Sequence, residues 1–228
     1  MLNVTKFIEE MDRRILAEGN DKVLLETVQH FSAIDNLNNL IDATINQTLG
    51  NLVEKSYLHP NGFDKMVLIS GEHFNLRLHN FHPRSVMKPA ESIHNHKWEF
   101  ASSVLSGGYT AQEFDVHEGD IDKYHYRYAK GEGIKYVSPD KVSLTKEYQV
   151  APGHSYFMPS DVFHSIRRIN DGGCVTVMMT GFTNETTTSV FTDNELAPGE
   201  GNIHCGMKQY TAEELTQTLL SIKDKLNA

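Results

Sequence analysis

The chain has 228 residues, 39% of them hydrophobic and 22% charged, which is typical of one globular domain with an appendage. Its formal net charge of -9 argues against a nucleic-acid partner, and no apolar run approaches the roughly 18 to 20 residues of a membrane span. The unusual count is twelve histidines against two cysteines and one tryptophan, because imidazole is the commonest protein metal ligand.

The cysteines and the N-terminal segment predict a cytoplasmic protein. Cys174 and Cys205 are too few for a disulfide scaffold and have no CxxC spacing. The opening MLNVTKFIEEMDRR carries charges every few positions and therefore holds no apolar region of a secretory signal. We expect a reducing compartment and no membrane partner.

Residues 1–50 have the periodicity of amphipathic helices. A stop is predicted at Gly19 and Asn20, and the pattern ends near Gly50. The apolar residues at helical spacing are Phe7, Ile8, Met11, Ile15, Leu24, Leu25, Val28, Phe31, Ile34, Leu37, Leu40, Ile41 and Ile45. We expect this N-terminal extension to pack on the rest of the chain or on a partner subunit, which leaves a homodimer open.

Residues 51–200 have the pattern of a β-domain. Short alternating or β-branched runs are separated by Gly, Pro, Asp and Asn, which favours a sandwich or barrel. The predicted strands are residues 66–70, 74–81, 93–105, 109–116, 124–128, 141–148, 155–158, 165–169 and 174–180.

A helix is predicted again within residues 201–228. Thr211 followed by Glu214 has the spacing of a capping box. The apolar face consists of Leu215, Leu219, Ile222 and Leu226. We expect this helix to pack on the β-domain, so the predicted fold is mainly β with helices at both ends.

Three histidines in the β-domain have the spacing of a metal site. His94 and His96 are separated by one residue in the segment SIHNHKWEF, so on a strand they point to the same face. His164 ends a second segment, PGHSYFMPSDVFH, in which Gly and Pro mark a turn. A third imidazole from a separate strand would complete a facial ligand set and leave positions open for substrate or dioxygen.

These two segments resemble the two sequence motifs of the cupin family. The matching positions are His94, His96 and Gly107 or Gly108 in the first, and Gly153, Pro159, Asp161 (in a glycine position) and His164 in the second. The resemblance covers about residues 65–191. It implies a double-stranded β-helix, or jelly roll, and one divalent metal ion held by His94, His96 and His164.

The glutamate ligand of the family has no match in this sequence. Its position falls at Phe100 or Ala101, and Glu99 is one residue out of register. Strand alternation places Glu99 on the face opposite Phe100, so a local bulge is needed for Glu99 to reach the metal. A three-histidine ligand set without this carboxylate is similar to the ligand set of the iron dioxygenases of the family, notably those that act on thiols and diketones.

The run FNLRL, residues 74–78, ahead of His94 is similar to cysteine dioxygenase. The resemblance places the cross-linked cysteine of that enzyme at Ala101 and its partner tyrosine near Thr180. Its carboxylate-binding arginine would fall near Leu68 or Ile69. Because none of these residues matches, cysteine itself is not the expected substrate.

Three other residues are candidates for the catalytic pocket. Arg77 and His79 share one face of the predicted strand 74–81, and Tyr109 begins the strand 109–116. Trp98 shares the strand face of His94 and His96, so it either fills the core or forms a wall of the site.

The resemblance implies a mononuclear non-haem Fe(II) dioxygenase, an oxidoreductase that acts with O2 on a small polar thiol, diketone or amino-acid-like substrate. Three neutral imidazoles leave a divalent iron its full charge, which favours an anionic or chelating substrate. Two alternatives stay open. One is a cupin isomerase or hydrolase with Zn, Mn or Ni as a Lewis acid, and the other is a non-catalytic metal-containing cupin that binds a small molecule.

Overall fold

The computed structural model describes residues 2–59, 61–83, 91–129, 132–169, 171–183, 187–196 and 207–227, so Cys205 lies outside the described residues. The helices are α1 (Val4–Glu18), α2 (Asn20–Phe31), α3 (Ile34–Gln47), α4 (Leu49–Leu52), a 3-10 turn (Val53–Lys55) and α5 (Ala212–Asn227). The strands are β1 (Tyr57–His59), β2 (Phe63–Ser70), β3 (Asn75–Phe81), β4 (Ile93–His94), β5 (Trp98–Ser106), β6 (Tyr109–Ala129), β7 (Gly133–Val150), β8 (Ser155–Met158), β9 (Phe163–Ile169), β10 (Cys174–Thr183), β11 (Thr187–Thr192) and β12 (Lys208–Gln209). Among the described helices, none has both the length and the apolar character of a membrane span.

The helices form where the sequence predicts them, and side-chain caps are present at the starts of α1 and α5. Asn3 accepts a hydrogen bond from the Lys6 backbone N–H at the start of α1, and Gly19 joins α1 to α2 at φ 91°. The predicted capping box is confirmed. Glu214 accepts a hydrogen bond from the Thr211 N–H at 2.9 Å, and Thr211 Oγ1 accepts one from the Glu214 N–H at 3.1 Å.

Two antiparallel sheets make the β-domain. The first has the order β12-β1-β2-β3-β10-β5-β8 and the second the order β11-β4-β9-β6-β7. Within them, β3-β10-β5-β8 and β4-β9-β6-β7 are the two four-stranded sheets of a jelly roll built from two Greek keys. This order confirms the predicted fold class, a cupin-type jelly roll with helices at both ends of the chain.

The seven-stranded sheet is the middle layer of the molecule. One of its faces packs on the helices in the largest hydrophobic core, to which α5 contributes Leu215, Leu219 and Ile222. Its other face meets the five-stranded sheet, where Phe81 and Val104 pack with Tyr109 and Val150. Both helical ends therefore share a core with the β-domain, and the interior between the two sheets is separate from that core.

The predicted strand 93–105 is wrong as one continuous element. β4 ends at His94 in the five-stranded sheet, and β5 begins at Trp98 in the seven-stranded sheet. The chain crosses between the sheets at residues 95–97. Side-chain alternation does not reveal a change of sheet, because both flanking segments have the character of strands.

Strands β6 and β7 form a hairpin longer than the sequence predicts. The predicted strands 109–116 and 124–128 belong to the single strand β6, interrupted by a bulge at which Val116 and Ile121 both pair with Val142. His117 has φ 72°, and a side chain at Gly119 would meet the Val142 backbone at 2.4 Å. Residues 117–120, whose Gly and Asp are typical of a turn, are therefore an insertion within the single strand β6.

Candidate metal centre

Three histidines converge at the point where the chain changes sheets. His94 on β4 lies directly opposite His164 on β9, and His96 lies in the crossing segment. One ring nitrogen from each lies within 4.8 Å of the other two, and the ring centroids are 4.8 to 5.1 Å apart. In the described part of the chain no other group of three His, Cys, Asp or Glu side chains is arranged in this way. The cluster could hold one metal ion.

Backbone carbonyls orient two of the three rings. His94 Nδ1 lies 2.9 Å from the Ser92 carbonyl oxygen, and His164 Nδ1 lies 3.2 Å from that of Val162. Because a carbonyl only accepts hydrogen bonds, each Nδ1 carries the proton and each Nε2 is left with a free lone pair. This is the arrangement by which protein groups outside the ligand set usually hold metal-binding imidazoles.

The environment of His96 and His164 favours the neutral form of their imidazoles. Burial lowers the pKa of His96 well below its ordinary value, and the neighbouring His94 and His164 lower it further. Burial, together with His94, lowers the pKa of His164 to about 4. Neutral imidazole is the form that binds a metal ion, so the donor set fits a divalent metal.

The structure places Glu99 outside this cluster. Its Oε2 accepts a hydrogen bond of 2.7 Å from Asn20 Nδ2 at the start of α2, on the helix side of the sheet. Its neighbour Phe100 faces the interior, with its ring 5.3 Å from that of His96. The alternation of β5 thus directs Glu99 away from the histidines.

Sequence reasoning missed a different carboxylate, Glu91. Its Oε1 accepts a hydrogen bond from Asn61 Nδ2 at 3.1 Å and its Oε2 accepts one from the Ile166 N–H at 3.4 Å. Burial acts to raise the pKa of Glu91, but the neighbouring His94, His164 and His59 outweigh it and lower that pKa. Glu91 lies outside both motifs, so the only signal in the sequence is an acidic residue shortly before His94.

Aromatic and methionine side chains line one side of the histidine cluster. The Trp98 ring stacks on His96 at 5.4 Å with an interplanar angle of 16°, and Phe100 lies 5.9 Å from His164. Phe100 packs in turn with Met158 and Met178 in a small hydrophobic cluster. These side chains give one side of the cluster an apolar lining, beside which electrostatic interactions are stronger than in open water.

The predicted pocket residues Arg77 and His79 lie on the interior face near the cluster. The Arg77 Cζ is 5.4 Å from the Trp98 ring centroid, and both Arg77 and His79 contribute to the lowered pKa of His96. Arg77 Nη2 donates a hydrogen bond of 3.1 Å to Thr180 Oγ1. Burial is the main reason that the pKa of His79 lies well below its ordinary value.

Tyr109 lies deeper in the interior, where its hydroxyl already has a hydrogen-bond partner. Its hydroxyl is 2.7 Å from that of Tyr156, and burial raises the pKa of Tyr109 well above the ordinary value. The Tyr156 ring lies 6.1 Å from Phe100, so the tyrosine pair adjoins the wall of the cluster.

No family model matches the sequence, and no curated protein is significantly similar to it. The folded chain is similar to several solved structures. A hydroquinone 1,2-dioxygenase, PnpCD, in complex with Cd2+ and 4-hydroxybenzonitrile is 12% identical over 53% of this chain and 64% of its own, with a TM-score of 0.34. A cupin superfamily protein from Desulfitobacterium hafniense is 13% identical over 54% and 79%, with a TM-score of 0.31. An RmlC-like cupin from Shewanella frigidimarina is 13% identical over 55% and 80%, with a TM-score of 0.32. The fold assignment rests on the strand order.

Proposed function

We propose that this protein is a mononuclear non-haem Fe(II) dioxygenase that acts on a small polar substrate of the thiol, diketone or amino-acid-like class. The observation that carries the proposal is the convergence of His94, His96 and His164 as partly buried imidazoles without a carboxylate in the set. Such a set leaves the charge of a divalent ion uncompensated, so a chelating or anionic substrate is favoured at the remaining positions.

The state of the nearby carboxylates favours oxygenation over acid–base chemistry. An isomerase or hydrolase needs a group that exchanges protons with the substrate. Glu91 accepts hydrogen bonds at both of its carboxylate oxygens. Glu113, which lies opposite His164 where β6 pairs with β9, accepts hydrogen bonds from Tyr148 and Lys146. These carboxylates therefore already interact with other groups of the chain, Glu113 through Oε1.

The residues of the chain have separate parts in the proposed reaction. The Ser92 and Val162 carbonyls hold two of the imidazoles in place, and the wall formed by Trp98 and Phe100 excludes water. When bound, Fe(II) would supply adjacent open coordination positions and the electrons that allow dioxygen to react with an organic substrate.

Oxygen uptake tests this proposal. The metal content of the purified protein is measured first, and the metal-free protein is then reconstituted anaerobically with Fe(II). We expect one iron per chain and oxygen consumption with at least one member of a panel of thiols, diketones and amino acids, with label from 18O2 in the product.

Histidine variants supply the matched controls. His164→Ala is expected to lose metal affinity by more than about 100-fold, because an inner ligand matters at least as much as the outer groups that orient it. His30→Ala, at an exposed position of α2, is expected to bind metal normally. Full metal occupancy in His164→Ala contradicts the site. Tightly bound zinc without substrate-dependent oxygen uptake contradicts the dioxygenase and favours a Lewis-acid isomerase or hydrolase.

A further inference from the structure

Arg77 is a buried cation on the interior face of β3. Its side chain is only 9% exposed, and it forms no ion pair with any described residue. Burial lowers the pKa of Arg77 to about 10, so its guanidinium is still charged at neutral pH. A buried charge without a counter-ion is strongly unfavourable, which points to a ligand that supplies the negative charge.

Two more polar atoms near Arg77 are buried and have no hydrogen-bond partner among the described residues. They are His79 Nε2 and Trp98 Nε1, and Arg77 Nε is in the same state. Arg77 and His79 occupy alternate positions of β3, and Trp98 begins β5. Buried polar atoms are nearly always satisfied in folded proteins, so three unsatisfied ones in one region indicate a binding site.

These atoms lie beside the candidate metal centre. The Trp98 ring is 5.4 Å from the His96 ring and 5.4 Å from the Arg77 Cζ, so one indole contacts both the guanidinium and the histidine cluster. A molecule of a few carbon atoms is long enough to contact both.

We propose that Arg77, His79 and Trp98 form a carboxylate subsite, and that the substrate is a small carboxylate whose other end reaches the metal centre. The planar fork of guanidinium matches a carboxylate, and Arg77 supplies the single positive charge that a monoanion requires. The position is not the one at which the resemblance places a substrate arginine, since Leu68 and Ile69 belong to β2 and pack in the helix-side core. The metal-binding end of this substrate rests on the proposed function, whereas the carboxylate subsite is tested without metal.

Trp98 provides a direct measurement because it is the only tryptophan of the chain. Metal-free protein is titrated with propionate while the tryptophan fluorescence and the single indole N–H signal in a nitrogen-15 correlation spectrum are followed. Propionamide, which has nearly the same shape and no charge, is the matched ligand. We expect saturable changes with propionate and at least tenfold weaker binding of propionamide.

Three variants locate the binding. Arg77→Gln is expected to weaken propionate binding at least tenfold, and Arg77→Lys to give an intermediate affinity because it keeps the charge but loses the fork. Arg13→Gln, at an exposed position of α1, is expected to match the wild-type protein. Circular dichroism and thermal melting verify that each variant is folded.

Two results would overturn the subsite. One is an Arg77→Gln protein that binds propionate as tightly as the wild type, and the other is equal binding of propionate and propionamide by the wild-type protein, a comparison that needs no variant. Because iron and dioxygen are absent from these titrations, failure of the oxygenase proposal leaves their outcome unchanged. Conversely, oxygenase activity without propionate binding contradicts the carboxylate subsite alone.

Discussion

The two faces of the seven-stranded sheet differ sharply, although alternate residues of the same strands build them. The face toward the helices carries Leu76 and Leu78 from β3 and Val175, Val177 and Met179 from β10, all fully buried. The face toward the second sheet carries Arg77, His79, Thr176 and Thr180 at the intervening positions. The strand period of two thus separates a hydrophobic core from a polar interior within one element.

The two faces of the sheet make opposite contributions to folding. The helix-side face buries apolar surface, which is the main favourable term in folding. The interior face holds unsatisfied polar atoms and a cation without a counter-ion, which oppose folding. Natural proteins depart from full satisfaction mostly at functional sites, so we expect stability to depend mainly on the helix-side face and ligand binding on the interior face. Four changes test this division.

The largest expected effect is at the helix-side face. Leu78→Ala leaves a cavity between β3 and the helices and is expected to lower the free energy of unfolding by about 3 kcal/mol. Metal binding at temperatures below the melting transition is expected to stay normal. Leu16→Ala, 65% exposed on α1, is the control and is expected to cost less than about 0.5 kcal/mol in the same urea titration. Loss of metal binding in folded Leu78→Ala would contradict the separation of the two faces.

A change at the interior face is expected to have the opposite sign. Arg77→Met replaces an unpaired buried cation by an apolar chain of similar length and is expected to stabilise the metal-free protein by about 1 kcal/mol. Denaturant unfolding without added anions measures this gain. A stability loss like that of Leu78→Ala would show that Arg77 is structural.

Loss of the hydrogen bond between Tyr109 and Tyr156 in the interior is expected to change the free energy of unfolding by a similar amount, but in the destabilising direction. Tyr109→Phe removes the hydrogen bond to Tyr156 and is expected to cost about 1 kcal/mol, because a buried hydroxyl loses its partner. Tyr136→Phe, at a position 49% exposed, is the control. If the two variants unfold at the same denaturant concentration, the pair contributes nothing to stability.

The smallest expected effect is a pH dependence that arises at Lys65. Lys65 pairs with His79 across the sheet and donates a hydrogen bond to Tyr57 from β1, and burial with the charge of Arg77 lowers its pKa to about 7. The unfolded lysine titrates near pH 10.4, so between about pH 7 and 10 the unfolded chain binds more protons than the folded protein. Stability from this group therefore rises with pH in that window and is lowest below pH 7.

Lys65→Met is expected to remove this pH-dependent part of the stability. The unfolding free energy of the wild type minus that of Lys65→Met should increase from pH 7 to 9, by less than the limit of about 1.4 kcal/mol per pH unit because Lys65 is only partly buried. Lys135→Met, at an exposed position of β7, is the control. Parallel pH profiles for wild type and Lys65→Met would contradict a depressed lysine pKa.

Much of the fold is predictable from local patterns. Helical periodicity predicts α1 to α3 and α5, and the spacing from Thr211 to Glu214 predicts the cap that the structure contains. The alternation of side chains along β5 also predicts that Glu99 and Phe100 point to opposite faces of the sheet. These features depend on residues close together in the chain, for which sequence patterns carry the physical information.

The remainder depends on contacts between distant segments. The change of sheet between His94 and Trp98 follows from strand pairing with β9 and β10, which no local pattern encodes. Glu91 is recognisable only once Asn61 and Ile166 lie beside it. The contact between Arg77 and Trp98 likewise forms only when β3 and β5 are placed on the two sides of β10.

The hydrogen bond between Asn20 and Glu99 has a mechanical consequence. Glu99 lies between Trp98 and Phe100, the two residues whose rings contact the histidines, and its carboxylate is attached to the first residue of α2. A side chain at Gly181 would come within 2.5 Å of Asn20, so the helix end sits directly against β10. Displacement of the start of α2 is therefore expected to pull on the backbone that carries both aromatic rings, which links the helical layer to the histidine cluster from outside the barrel.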